Sequence, residues 1–398
     1  MNNEQIKENI ALGTIVDNLF LISKLRAFRY LNKPIEPRFC TFTVTWKCNA
    51  RCYMCDIWKK EPSDELSLEE IDTIFSDKLL RKLNVLRITG GEPFLRSDLA
   101  DIIKGIYDNT KMDFVHITSN GFLTERILNL LKEVMDYGIN VDIKISLDAI
   151  GKTHDKIRGV DGAFDKVYKT LLELKDLRKK YDFYVGINQI ITDLNFDQIT
   201  PVHELAEKLH FGFSSTLGIA SRPIYNEKSP ISISTSQQFV PYNNFEETQL
   251  HNILSHLKQI FNQDNKYKLT SRSFIESLSE RYFMEGTENR LLYNKNYPNP
   301  PCVALFSHVR IMPNGDIIPC SYKTEVIGNL KKTSFHDIWF SENAKRSRQE
   351  IKRCGGCWAG CEVLPNAFHS GDILKWALKD SVKNKVLKVF KLKKEDIR

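Results

Sequence analysis

Three cysteines lie close together in the first sixth of the chain, in the C-x3-C-x2-C spacing of Cys48, Cys52 and Cys55. Thiolates are soft ligands that favour iron–sulfur sites, and three of them on one short loop can converge on a cluster of iron and sulfide. A four-iron cluster held this way keeps one iron without a protein ligand. The alternative is a structural zinc site, but zinc usually takes four protein ligands, commonly from two C-x2-C pairs. The spacing therefore favours the iron–sulfur cluster.

A glycine-rich tetrapeptide, Gly90-Gly91-Glu92-Pro93, directly follows a predicted strand. Two glycines allow the backbone to approach a ligand closely, and a carboxylate can accept hydrogen bonds from an ammonium group. Together with the preceding cysteines, this tetrapeptide resembles the motif that holds the methionine amine in the radical S-adenosylmethionine (SAM) superfamily. The resemblance implies that SAM binds the open iron through its amino and carboxylate groups. It also implies reductive cleavage of SAM to a deoxyadenosyl radical that abstracts a substrate hydrogen.

The resemblance assigns further SAM contacts to polar residues at the ends of the next two predicted strands. These residues are Ser119 and Asn120 on the third strand, and Ser146 and Asp148 on the fourth. In the family these positions support the SAM carboxylate and ribose, which hydroxyl groups and a short carboxylate can do. Taken singly, each such residue is more often a loop cap than a ligand.

Three positions depart from the family pattern or match it loosely. Met54 stands where relatives often have an aromatic residue against adenine, a contact that a thioether can also make. Gln189, on the fifth predicted strand, matches the adenine-contacting position only loosely. Arg158 lies in the stretch HDKIRG and matches a recurring turn of relatives with a second cluster domain. We take Arg158 as a candidate catalytic residue that could hold a carboxylate or phosphate, with a structural salt bridge as the equal alternative.

Five more cysteines lie in the last quarter of the chain. Asn314-Gly315 between two apolar runs predicts a β-hairpin, which would bring Cys302 and Cys320 together. This region resembles the SPASM/twitch auxiliary domain, in which a glycine precedes the second cysteine as Gly315 precedes Cys320. The other three cysteines follow in a C-x2-C-x3-C spacing, at Cys354, Cys357 and Cys361.

A full SPASM signature has seven cysteines and two auxiliary clusters, whereas the twitch form holds one. Five cysteines suffice for one four-coordinate cluster, so we expect one auxiliary 4Fe-4S cluster besides the radical SAM cluster. Cys361 then either replaces one of the C-x2-C pair as a ligand or is a free thiol. The alternative at this site is a tetrahedral zinc ion on Cys302, Cys320, Cys354 and Cys357.

Length and composition limit the class of protein. At 398 residues and 42% hydrophobic, the chain can bury a full α/β domain and a smaller second one. Nine cysteines without a basic-then-apolar leader argue against a disulfide framework, so we expect the reducing cytoplasm. No run approaches the roughly 18 apolar residues of a membrane span. The segment Lys379 to Arg398 carries eight basic against three acidic residues and predicts a basic amphipathic helix, either packed on its own domain or facing anionic lipid or an acidic partner.

The elements that must position these residues alternate between predicted strands and helices from Phe39 to Ile219. Six such units predict an α/β fold, a partial (β/α)6 TIM-like barrel whose active site lies at the strand C-termini. A small C-terminal auxiliary-cluster domain built on the β-hairpin would follow. We expect five segments: an N-terminal helical segment at 1–38, the barrel at 39–220, a linker with helices at 221–299, the auxiliary iron–sulfur domain at 300–365 and a basic C-terminal helix at 366–398.

An auxiliary cluster near the radical site suggests an electron acceptor, because a substrate radical that loses one more electron and a proton has undergone a two-electron oxidation. The leading hypothesis is such an oxidation of a small molecule, for example a sugar, cyclitol or glycolipid precursor. A peptide or protein maturase is the second hypothesis. We rank it below the first because the short N-terminal segment has no room for the leader-binding domain of many such relatives. The third is a non-catalytic iron–sulfur or zinc scaffold. We expect an external electron donor of the flavodoxin or ferredoxin type and no nucleic-acid partner.

Overall fold

The computed structural model describes residues 19–218, 224, 245–263 and 271–379, and a nine-stranded sheet forms the framework of that part of the chain. The first six strands pair in parallel with their sequence neighbours, as the sequence predicts. The strands are β1 (Phe39–Thr43), β2 (Val85–Thr89), β3 (Phe114–Ser119), β4 (Val141–Ser146), β5 (Tyr184–Ile191), β6 (Gly212–Leu217), β7 (His308–Ile311), β8 (Asp316–Ile317) and β9 (Gly328–Asn329).

The sheet extends beyond the six predicted barrel strands. Its order is β6-β5-β4-β3-β2-β1-β7-β8-β9, so the C-terminal strand β7 pairs in parallel with β1. The predicted hairpin forms between β7 and β8, and Gly315 takes a positive φ of 84° at its turn. The C-terminal region is therefore joined to the barrel edge through backbone hydrogen bonds, which the sequence analysis did not predict.

The helices fill the connections between strands and cover the sheet. They are α1 (19–30), α2 (Leu68–Phe75), α3 (Leu99–Thr110), α4 (Thr124–Asp136), α5 (Lys152–Arg158), α6 (Ala163–Leu177), α7 (Ile199–Leu209), α8 (Glu247–Gln263), α9 (Ser271–Leu292), α10 (Phe335–Phe340), α11 (Glu342–Arg353), α12 (Gly360–Ser370) and α13 (372–379). Helix α2 begins with a capping box of Ser67 and Glu70. The α-helix ends at Phe75, and a 3-10 turn follows from Lys78 to Lys82.

Apolar and polar residues alternate along the barrel strands. Leu86, Ile88, Ile117 and Ile145 are fully buried in the main hydrophobic core, while the residues between them face the inside of the barrel. This alternation follows from the two-residue side-chain period of a strand. Among the described residues, no helix is both long and apolar enough to cross a membrane. Most of the predicted basic C-terminal helix, residues 380–398, lies outside the described residues.

Candidate active site

The cysteine loop that follows β1 lies at the mouth of the barrel. Cys48, Cys52 and Cys55 all line one cavity of about 400 Å³ inside the barrel. Two backbone hydrogen bonds connect the loop to the end of α5. The N–H groups of Arg51 and Tyr53 donate to the carbonyls of Arg158 and Ile157 at 2.8 Å each. The three cysteines therefore face one space.

The glycine pair after β2 is explained by the packing of two loops against each other. A Cβ atom on Gly90 would lie 2.7 Å from the carbonyl oxygen of Thr45, and one on Gly91 would overlap the carbonyl of Lys47. The N–H of Gly91 donates to Thr45 at 2.8 Å and that of Glu92 donates to Lys47 at 2.7 Å. The glycines line the cavity, and they also allow the cysteine loop to dock on the end of β2.

Glu92 lies behind the cavity wall and is 1% exposed. Its carboxylate accepts hydrogen bonds from the hydroxyl of Ser119 at 2.9 Å and from the backbone N–H groups of Asn120 and Phe94 at 2.7 and 3.2 Å. Burial raises the pKa of Glu92 to about 7, against these hydrogen bonds, which lower it. The Glu92 side chain therefore links the end of β2 to the end of β3 through hydrogen bonds. A cation bound nearby would stabilise the charged form of this carboxylate.

Arg158 lies between the cysteine loop and the end of β4. Its Nη2 atom is 2.8 Å from a carboxylate oxygen of Asp148, which has no exposed surface. Its Nη1 atom donates to the sulfur of Cys52 at 3.6 Å. The ion pair favours the structural salt bridge that the sequence analysis kept as an alternative, but Nε of Arg158 is buried without a hydrogen-bond partner among the described residues. This orphaned donor is consistent with a bound anion at the cysteine end of the cavity.

The structure brings most of the predicted SAM-binding residues to the cavity. Those on its lining are Met54, Gly90, Gly91, Ser119, Asn120 and Ser146. The lining does not include Glu92, Pro93, Asp148 or Gln189, so direct SAM contacts by these four residues stay a prediction. Gln189 is fully buried and donates to the carbonyls of Asp148 and Gln198, so its neighbours Asn188 and Ile190 face the cavity instead. The two-residue period of β5 explains that difference.

The donor set fits SAM and a cluster of iron and sulfide. Burial raises the pKa of the Cys48 thiol to about 11 and that of Cys55 to about 12, so both thiols need nearby cations to ionise. Cluster irons would supply positive charge at the thiols, and the ammonium group of SAM would supply positive charge near Glu92. The carboxylate of SAM would suit the buried Nε of Arg158 as a hydrogen-bond acceptor. Among the described residues, no group of three or more His, Cys, Asp or Glu side chains is arranged to hold a single metal ion.

A second, smaller cavity lies in the C-terminal region. Four of the predicted metal ligands line it together: Cys302, Cys320, Cys354 and Cys357. Burial raises the pKa of the Cys302 thiol to about 12, and it also raises the pKa values of Cys320 and Cys357. Four thiols around one buried space fit a four-coordinate cluster.

Cys361 is the exception among the predicted metal ligands. It stands at the start of α12 and lines the main cavity, whereas the four other C-terminal cysteines line the second cavity. This position favours the second alternative of the sequence analysis, a free thiol, and a ligand role for Cys361 stays a prediction. The next residue, Glu362, lines the other cavity, because successive residues of a helix point in different directions.

A buried ion pair separates the two cavities. Arg310 lines the main cavity, and Glu362 lines the cavity of the four cysteines. Nη2 of Arg310 donates to Glu362 at 2.6 Å, and the two side chains are 1% and 4% exposed. The same carboxylate oxygen accepts from the backbone N–H of Ser321 at 3.0 Å, directly after Cys320. One salt bridge thus connects the wall of the barrel cavity to the cysteine cavity.

The sequence analysis missed the polar residues deeper in the barrel. They include Arg87, His116, Lys144, Asn188, Ser214, Glu280 and Arg310, and all of them line the cavity. Their signal was present in the sequence, because strands of a parallel sheet covered on both faces are usually apolar throughout. Polar residues at every second position of β2, β3 and β4 therefore mark a face that lines a polar space.

Comparison with known proteins agrees with this arrangement. The model of the radical SAM superfamily matches residues 42–193, and that of SPASM, an iron-sulfur cluster-binding domain, matches residues 302–362. An AdoMet-dependent heme synthase of Methanosarcina barkeri is 25% identical over 357 residues, which are 85% of this chain and 95% of the relative. A probable GTP 3',8-cyclase of Saccharolobus solfataricus is 34% identical over 170 residues, 42% of this chain and about half, 52%, of the relative.

Among solved structures, Streptococcus suis SuiB bound to its precursor peptide SuiA is similar in fold. The TM-score is 0.56 at 15% identity, with 81% of this chain and 69% of that chain covered. The family's cofactors are SAM and a 4Fe-4S cluster, with auxiliary iron–sulfur in the SPASM domain, and the two sets of cysteines lie where these would bind. The chain belongs to the radical SAM superfamily and carries a C-terminal SPASM iron–sulfur domain.

Proposed function

We propose that this radical SAM enzyme catalyses a two-electron oxidation of a small molecule, with one auxiliary cluster as electron acceptor. When bound, the cofactors supply a deoxyadenosyl radical from SAM and one electron, and that radical removes a hydrogen atom from the substrate. An auxiliary cluster held by Cys302, Cys320, Cys354 and Cys357 would supply the acceptor for the second electron of the oxidation. An external donor of the flavodoxin or ferredoxin type would supply the electron that cleaves SAM.

The protein residues hold and separate the reacting groups. Cys48, Cys52 and Cys55 would hold the radical SAM cluster at the barrel mouth, with Gly90 and Gly91 fixing the loop. The lining residues Met54, Ser119, Asn120 and Ser146 would contact SAM. Glu92 would position Ser119 and Asn120 from behind, and Asp148 would position Arg158.

The observation that carries the proposal is the position of the two cysteine sets on two cavities that the Arg310–Glu362 ion pair separates. The radical SAM cysteines line the main cavity at one end, and Cys361 and Arg310 line it where the four auxiliary cysteines lie behind Glu362. A substrate radical formed in this cavity would have an auxiliary cluster as electron acceptor on the other side of that ion pair. Cys302, Cys320, Cys354 and Cys357 account for one cluster, which corresponds to the twitch form.

The choice of a small molecule is supported by two relatives whose names refer to heme and GTP, both of them small molecules. The heme synthase is matched over most of both chains. The second candidate is a peptide or protein maturase, which is favoured by the fold shared with peptide-bound SuiB. We assign the enzyme to the cytoplasm because its cysteines would need a reducing compartment. The basic residues of Lys379 to Arg398 make an anionic membrane surface or an acidic protein a further candidate partner.

Deoxyadenosine formation tests the proposal. Anaerobically reconstituted protein, reduced and supplied with SAM, should release deoxyadenosine, and an ultrafiltered small-molecule extract should accelerate that release. Acceleration by the retained peptide and protein fraction alone would favour the maturase. No deoxyadenosine under any of these conditions would contradict radical SAM catalysis and support a scaffold.

A further inference from the structure

Two arginines and a histidine lie side by side at the deep end of the main cavity. The register of four adjacent parallel strands places Arg310, Thr41, Arg87 and His116 in one row across the sheet. All four side chains line the cavity. Thr41 precedes Thr45 by four residues, so the row lies about 13 Å below the cysteine loop at about 3.3 Å per strand residue.

Both guanidinium groups of the row are held in fixed orientations. Nη1 of Arg87 donates to the carbonyl of Cys361 at 2.8 Å, and its guanidinium lies 4.9 Å from the ring centroid of Phe39. Arg310 is held by Glu362, as described above. A guanidinium anchored in this way loses little further side-chain entropy on binding and presents a planar fork to the cavity.

The charges of the cavity are distributed unequally. Lys144, on β4, pairs with Glu276 of α9 at 3.2 Å, and Glu280 of the same helix also lines the cavity. Glu276 also contacts the hydroxyl of Tyr184 on β5, so these acidic groups lie on the β4 to β6 side. The two arginines and the histidine lie on the β7, β1, β2 and β3 side. The cavity therefore has a basic side and a side where carboxylates and a lysine are mixed.

We propose that the substrate carries an oxyanion, a carboxylate or a phosphate, that binds to Arg87, Arg310 and His116. This inference rests on the proposed function, because it places the substrate in the cavity where the radical is formed. Guanidinium groups bind both kinds of oxyanion through paired N–H donors. An oxyanion at the deep end directs the opposite end of the substrate toward the cysteine loop, where the hydrogen atom is removed.

Anion binding by the holoenzyme tests the inference without the natural substrate. Calorimetric titration at low ionic strength uses two probes, inorganic pyrophosphate and succinate, on protein with both clusters and saturating SAM. The variants are Arg87→Gln and Arg87→Lys, and the matched control is Arg81→Gln, which removes a guanidinium from the exposed surface. We expect the wild-type protein to bind at least one probe and the control to bind that probe with the same affinity. Arg87→Gln should lower the affinity by about tenfold or more. The affinity of Arg87→Lys should lie between those of the wild type and Arg87→Gln, because lysine keeps the charge and loses the fork.

The two probes identify the chemistry of the oxyanion. Binding of pyrophosphate alone assigns a phosphate, and binding of succinate alone assigns a carboxylate. If Arg87→Gln loses its clusters, Arg87→Lys decides the comparison. Failure of the wild-type protein to bind either probe, or equal binding by the wild type and the Arg87 variants, would overturn the inference. Deoxyadenosine formation by the wild-type preparation, measured separately, shows whether the proposed radical chemistry itself has failed.

Discussion

At the scale of single residues, two buried carboxylates contact the residues that line the cavity instead of lining it themselves. Glu92 holds Ser119 and Asn120, and Asp148 holds Arg158, while the residues they hold line the cavity. A buried carboxylate that positions another group is costly to remove, because its partner is then buried without its hydrogen bond. Substitutions at such positions are therefore expected to affect the cofactors as well as turnover.

Arg158 gives the first prediction at this scale. Arg158→Lys keeps the positive charge but loses the fork that reaches Asp148 and Cys52 together. Deoxyadenosine formation should fall roughly tenfold to a hundredfold, as loss of a charged hydrogen bond costs about 1.5 to 3 kcal/mol. Iron content should stay near that of the wild type, and Arg81→Lys on the exposed surface is the control. If Arg158→Lys is insoluble and lacks iron, Arg158 is a structural ion-pair partner alone, and unchanged kinetics would make it a bystander.

Glu362 gives the second prediction, which concerns the auxiliary cluster. Its negative charge lines the four-cysteine cavity and raises the pKa values of Cys302, Cys320 and Cys357, after the larger effect of burial. The same charge disfavours an added electron on the cluster. Glu362→Gln should therefore raise the reduction potential, and a tenfold change in the reduced-to-oxidised ratio corresponds to about 59 mV for one electron.

An EPR-monitored redox titration measures this potential directly. The matched control is Glu342→Gln, which removes a carboxylate that is 84% exposed on α11. We expect the control to leave both cluster potentials unchanged. A Glu362→Gln protein with a wild-type auxiliary potential would show that the carboxylate does not act on the cluster.

At the scale of secondary-structure elements, the barrel strands and their order could be predicted from the sequence. Short β-branched runs, separated by amphipathic helical segments, predict six parallel strands, and β1 to β6 pair in that order. The short helix α5 and the C-terminal helices α10 to α12 were missed, because their apolar patterns are brief. The pairing of β7 with β1 was also missed, since a strand of four residues carries no local signal for its partner.

Two loops that meet at the barrel mouth give the third prediction. Gly91→Ala would place a methyl group against the carbonyl of Lys47, so the cysteine loop must move away from β2. We expect a loss of about 1 to 3 kcal/mol of stability and reduced iron at the first cluster. Gly105→Ala in α3 is the control, because only Asp72 approaches that position and alanine favours a helix by about 1 kcal/mol. A Gly91→Ala protein with full iron and wild-type melting would contradict this account of the glycine pair.

At the scale of the whole molecule, the candidate site could be predicted only in part. Its cysteines and glycines are local motifs, so their positions in the sequence were sufficient to find them. The basic row of Arg310, Arg87 and His116 comes from three strands that are distant in sequence, and only strand register brings it together. The same holds for Cys361, whose neighbours in sequence predict a cluster ligand although its side chain faces the other cavity.

The two cysteine sets predict the metal content of the molecule. Three ligands at the barrel mouth and four in the C-terminal cavity imply two four-iron clusters, so reconstituted protein should contain about eight irons per chain. Iron and zinc are measured together in the same samples. About four irons with one zinc per chain would instead support a structural zinc ion in the C-terminal cavity.

The central claim is that Cys48, Cys52 and Cys55 hold the cluster that cleaves SAM, separately from the C-terminal site. The most direct measurement compares deoxyadenosine formation and iron content in the reduced wild type and in the variant with all three cysteines replaced by alanine. The variant should form no deoxyadenosine and keep about four irons, those of the auxiliary cluster. Deoxyadenosine released by the triple variant at the wild-type rate would contradict the claim.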